Sequence, residues 1–120
     1  MSFQIVTNNP QVIKEFPSCL EVEGDIEAVL RRVRDLVYEG YGLISMPLPA
    51  SLKLLYSPVR SVLITSEKQE VNPVAAEIAG NSVLTLERTR GQRGPDLRHR
   101  SDYEKLDYIL VQQAIAESRR

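Results

Sequence analysis

YGLISMPLPASLKLLYSPVRSVLITS (Tyr41–Ser66) is the stretch on which the fold turns. Two short apolar runs, Leu43–Met46 and Val62–Thr65, flank a segment carrying Pro47, Pro49 and Pro58. Apolar runs of this length between turn residues read as buried strands. Proline lacks the amide donor and fixes φ, so the middle is neither helix interior nor inner strand. A connection of roughly fifteen residues is long where about four to six is usual, and long connections often carry function. The return direction of the second run is open. It is antiparallel if no helix intervenes, and a helical turn over Leu52, Leu54 and Leu55 would permit a parallel pairing.

Upstream, Phe3, Ile5 and Thr7 alternate within an inner strand of about five residues. Asn9-Pro10 then supplies an N-cap and a first helical residue. Val12, Ile13 and Phe16 form that helix's inner stripe, and Pro17 ends it. Leu20–Glu23 alternates as a half-exposed edge strand. Asp25 caps a helix over Ile26–Glu39, with Ile26, Val29, Leu30, Val33, Leu36 and Val37 on one face and Gly40 as its left-handed cap. The order so far is β-α-β-α-β, half of a doubly wound fold. The expectation is a three-layer α/β architecture: a small Rossmann-like or flavodoxin-like sheet of about four mostly parallel strands with flanking helices.

Downstream, Asn72-Pro73 repeats the cap signal and opens a helix to about Arg88. Gly80 within it marks a close approach, a kink or a break. Residues 91–100, GQRGPDLRHR, form a loop. Ser101-Asp102-Tyr103-Glu104 is a capping-box pattern for a last helix reaching about Glu117. Leu106, Ile109, Leu110, Ala114 and Ile115 are its expected core face. Tyr103, Tyr108 and Val111 widen the stripe enough to meet a second subunit, so a homodimer is expected.

Composition narrows the classes. At 120 residues the chain is expected to form one domain, 1–120. Its apolar share of 42% suffices for one core. A formal net charge of −1 gives no global basic field, so nucleic acid is not the expected partner. No apolar run approaches the ~20 residues of a membrane span. The opening MSFQIVTNNP lacks the basic and apolar regions of a secretion signal. One cysteine, Cys19, cannot form an internal disulfide. The expected location is cytoplasmic.

The long connection concentrates polar chemistry. Ser45, Ser51, Lys53, Ser57, Arg60 and Ser61 lie in or beside it, and hydroxyls with two cations near strand ends suit a small phosphate or carboxylate anion. The plainer reading is a tied-down surface loop with solvated cations. Asn8 and Asn9 open a helix after the first strand, where doubly wound sheets bind ligands, although such residues commonly just cap. Arg88, Arg90, Arg93, Arg98, His99 and Arg100 form a local basic cluster without aromatic interleaving, which reads first as a solvated loop and helix end. No Walker or GxGxxG pattern specifies a nucleotide. His99 has no identifiable partner and Cys19 reads as a packed residue, so no catalytic residue is assigned. No cofactor is expected, and no metal-ligand spacing occurs.

Several segments together resemble the GrdX family, small proteins encoded beside the glycine, sarcosine and betaine reductase genes of amino-acid-fermenting anaerobes. The opening IVTNNPQV (Ile5–Val12) and VRDLVYEGYGLIS (Val33–Ser45) are similar to that family. The best match is PLPASLKLLYSPVRSVLIT (Pro47–Thr65), with its Pro47-Leu48, Ala50-Ser51, Lys53, Ser57-Pro58 and Arg60-Ser61-Val62-Leu63. Met46 stands where the pattern has histidine, and Ala50 where it has glycine. A role carried by that histidine is therefore absent here. The resemblance brings no established reaction. It implies an accessory protein of the reductase system, with reductase complex subunits as partners.

Overall fold

A computed structural model describes residues 2–119. Strand β1 (Phe3–Thr7) leads into helix α1 (Pro10–Glu15), where the Asn9 side chain accepts from the Gln11 amide and Pro10 takes the first turn. Strand β2 (Leu20–Glu21) is followed by α2 (Ile26–Glu39). Asp25 caps α2 by accepting from the amides of Glu27 and Ala28. Gly40 ends it at φ 119°, a conformation that side-chain-bearing residues rarely adopt. A Cβ there would also overlap the carbonyl of Gln69, whose amide donates back to Gly40. A 3₁₀ turn (Leu52–Tyr56) precedes β3 (Ser61–Thr65). Helices α3 (Pro73–Arg90), capped by Asn72, and α4 (Arg100–Ser118) complete the chain.

The sheet has three strands in the order β2-β1-β3. Strand β1 pairs parallel with β2, Val6 opposite Leu20, and antiparallel with β3, Phe3 opposite Thr65 and Thr7 opposite Ser61. This corrects the expectation of about four mostly parallel strands. The connection between α2 and β3 holds only the five-residue 3₁₀ turn, too short a helix to carry a parallel crossover, so β3 returns antiparallel. The expected third strand shrinks to one antiparallel bridge, Leu43 opposite Ile64. Pro47 and Pro49 cannot extend that ladder.

Helices cover both faces of the sheet. Val6, Val62 and Ile64 point toward α2 and α3, packing on Val29, Val33, Val37 and Ala79. The alternate residues Ile5 and Leu63 point the other way, onto Val12 of α1 and Val111 and Ile115 of α4. A third cluster joins α2 and α3 through Ile26, Leu30, Val83 and Leu86, and Leu55 of the 3₁₀ turn is buried in it. Burial of a leucine side chain is worth about 1.5–3 kcal/mol, so Leu55 anchors the proline-rich ribbon firmly. Gly80 lies where α3 approaches α2: a Cβ there would come within 2.6 Å of the Tyr38 hydroxyl.

Helix α4 departs from its expected geometry. It begins at Arg100, with His99 at the N-cap making no side-chain cap bond. Ser101 therefore lies inside the first turn, and Glu104 accepts from Arg100 Nε at 2.9 Å instead of closing a capping box. The buried stripe is Asp107, Val111 and Ile115, while Leu106 and Ile109, expected in the core, are 40% and 48% exposed. The helix is rotated because a carboxylate takes an inward position.

Gly40→Ala should lower stability by about 2 kcal/mol or more, since it combines forced positive φ with a backbone overlap. Gly94→Ala, with open space around it, should stay within about 0.5 kcal/mol of the parent. Urea denaturation measures both, and equal losses would contradict the Gly40 geometry.

Candidate functional site

β1 ends and β3 begins at the same end of the sheet, which gathers Thr7, Asn8, Asn9 and Ser61 there. Asp107 reaches in from α4. Its Oδ1 accepts from the Ser61 amide at 3.0 Å, and its Oδ2 accepts from Ser61 Oγ at 2.6 Å and Asn9 Nδ2 at 2.9 Å. Ser61 Oγ thus gives its proton to Asp107, so the 2.7 Å contact with Thr7 Oγ1 has threonine as donor. Thr7 Oγ1 in turn accepts from the Asn9 amide at 3.0 Å. Asn9 Nδ2 also donates to the Glu104 carbonyl. These residues are buried, where unsatisfied polar groups are expensive, and each uses its neighbours to avoid that penalty.

A second set fixes the ribbon. Asn8 Nδ2 donates to the carbonyls of Gly24 and Pro58, both at 2.8 Å, and its Oδ1 accepts from the Arg60 amide at 2.9 Å. Ser57 Oγ donates to the Val59 carbonyl and accepts from the Val59 amide. Half-buried Arg60 donates from Nε to the Pro47 carbonyl and from Nη2 to the Met46 carbonyl, both at 2.8 Å. Burial pushes its guanidinium below the ordinary range, and Asp107 opposes that shift. An arginine keeps its proton through such a change. Ser45 Oγ accepts from the Leu63 amide at 2.8 Å, standing in for a strand carbonyl.

The sequence-derived site residues therefore separate into three groups. Asn8, Asn9 and Ser57 are internal braces. Ser45, Ser51, Arg60 and Ser61 line one cleft of about 400 Å³ between residues 45–54 and the second half of α4, with Gln113 and Glu117 opposite and apolar walls between. Exposed Lys53 lines a different cleft, with Tyr56, the loop at 93–98 and Tyr103. The ribbon thus presents its two cations to two places. Sequence reasoning missed Thr7 and Asp107. A signal for Asp107 existed: it lies four and eight residues before Val111 and Ile115, on the stripe those residues bury.

Other candidates resolve by placement. Arg90, from the basic cluster, is buried, 3.5 Å from Asp25. Burial, and secondarily Glu21, raise the Cys19 thiol, which disfavours the reactive thiolate. Among the described residues, no His, Cys, Asp and Glu group is placed to hold a metal ion, and no helix is long and apolar enough to cross a membrane.

Asp107→Ala should cost at least about 3 kcal/mol, because it strands the buried donors of Ser61 and Asn9. Ser61→Ala should cost about 1–3 kcal/mol. Exposed Lys105→Ala is the control, expected within about 0.5 kcal/mol of the parent. Urea denaturation of the three variants checks this, and an Asp107→Ala loss no larger than the control's would contradict the network.

The family model described as GrdX-like protein matches residues 4–116. The match runs from β1 through most of α4, so it takes in the ribbon and Asp107 together. No curated protein and no solved structure matches the chain. The chain belongs to the GrdX-like family.

Proposed function

We propose that this chain is an accessory protein of the glycine, sarcosine and betaine reductase system, acting by binding and not by a reaction of its own. Family membership over residues 4–116 carries the reading. The chemistry at the sheet end supports it: polar groups of Thr7, Asn9 and Ser61 are committed to one another and to Asp107, and the Asn8 side chain to the Gly24 and Pro58 carbonyls and the Arg60 amide, as in a support. Reductase subunits are the proposed partners. A homodimer is part of the same reading, supported by Leu106 and Ile109, which leave apolar surface on the outer side of α4. A tagged chain should enrich reductase subunits from an extract of cells that make the reductase, relative to an unrelated bait. Equal recovery would remove the association. Light scattering on the purified chain should report a dimer, and a monomer at every concentration would remove that element.

A second reading rests on Arg60. Its Nε and Nη2 are engaged, and Nη1 makes no hydrogen bond among the described residues. Arg60 also lines the cleft of about 400 Å³, within the usual size range of small-ligand sites. A small phosphate or carboxylate is the ligand class that a guanidinium fork selects. Thermal shift across inorganic phosphate, small carboxylates and amino acids should find a stabilising anion. Arg60→Ala should abolish that shift and Arg60→Lys should weaken it. A shift that survives Arg60→Ala would place the ligand elsewhere.

A further inference from the structure

The cleft that Lys53 lines has a different chemistry from the one beside Arg60. It measures about 510 Å³ and lies between the 3₁₀ turn, the loop at 93–98 and the first turn of α4. The loop is docked on the turn: the Asp96 amide donates to the Tyr56 carbonyl at 2.7 Å. The Asp96 carboxylate is turned to its own loop, with Oδ1 accepting from the Arg98 amide and Oδ2 bonded to His99 Nδ1 at 2.7 Å. The His99 bond, aided by the Arg98 amide and both side-chain charges, holds that carboxyl below its usual range. Lys53 and Arg93 enter no ion pair among the described residues. Arg93 instead lies over the Tyr56 ring, 4.6 Å from its centroid.

We propose that this cleft binds a phosphate-bearing planar ring, the chemistry of a free mononucleotide or of one nucleotide in a single strand, with Lys53 on the phosphate and Arg93 stacked on the ring. A lysine is a point charge suited to phosphate. Arg93 is exposed, so a guanidinium already lying over tyrosine has its outer side open to another flat group, and arginine planes and aromatic rings are the usual platforms for unpaired bases. Lys53, Arg93 and Arg98 line the cleft with a single carboxylate, Asp96, so the cleft is locally cationic in a chain of net charge −1. Tyr56 supplies the aromatic partner that the 88–100 basic cluster lacks within its own sequence.

Isothermal titration of the full chain with adenosine 5′-monophosphate, adenosine, inorganic phosphate and a short single-stranded oligoadenylate tests this. The monophosphate should bind saturably and more tightly than adenosine or phosphate alone. Lys53→Ala and Arg93→Ala should each weaken it about tenfold or more, and Arg93→Lys, which keeps charge without a stacking plane, should also weaken it. Lys105→Ala, exposed on α4 and outside the cleft, should leave it unchanged. Tighter oligoadenylate binding with steep salt dependence identifies a strand as the source, and preference for the monophosphate identifies the free nucleotide. No saturable binding of either, binding unchanged from the parent in Lys53→Ala or Arg93→Ala, or phosphate as tight as the monophosphate would overturn the proposal.

Discussion

A single buried carboxylate, Asp107, ties the last helix to the sheet. An ionised side chain away from water is tolerable only when donors surround it, and here the amide and hydroxyl of Ser61 and the side-chain amide of Asn9 do so. Each donor comes from a different structural decision. Ser61 is the first residue of β3 and stands opposite Thr7, so the arrangement requires the observed β1–β3 register. A slip of one residue would turn Ser61 to the other face of the sheet. Asn9 must cap α1 with its oxygen while its nitrogen faces α4. Register, cap and helix docking are thus one linked condition, and the outward rotation of Leu106 and Ile109 follows from it.

That condition closes the sheet end where doubly wound folds leave a crevice. Polar groups there are consumed internally, and the accessible chemistry moves outward to the ribbon. The ribbon is held by Leu55 in an apolar cluster, by Arg60 on the carbonyls of Met46 and Pro47, and by Asn8 on the Pro58 carbonyl. A segment fastened at so many points can display side chains in fixed directions without regular secondary structure. Arg60 and Lys53 then serve two separate clefts.

What could be read from the residues alone was local. Caps at Asn9, Asp25 and Asn72, the left-handed end at Gly40 and the apolar face of α2 each depend on a few neighbouring positions, and each is as expected. The direction of β3 was not legible, because either pairing suits its apolar run and the choice rests on what the connection can span. The face of α4 was misjudged because hydrophobic spacing alone sends carboxylates outward, and only the distant Ser61 and Asn9 make an inward Asp107 tolerable. The candidate site was legible as a polar region but not as a geometry. Arg93 and Tyr56 lie far apart in the chain, and their contact requires the loop to dock on the 3₁₀ turn.

The strap after Gly42 does more than shorten a strand. Thr65 exchanges bonds with Gly42 through its amide and its hydroxyl, the Leu63 amide is occupied by Ser45 Oγ, and the Leu63 carbonyl accepts from the amides of Ile44 and Ser45. The outer rim of β3 is thereby occupied at Leu63 and Thr65, and the prolines that follow have no amides to extend the ladder. An extended segment from another molecule approaching that rim finds no free template, so the strap protects this apolar sheet against edge-to-edge aggregation.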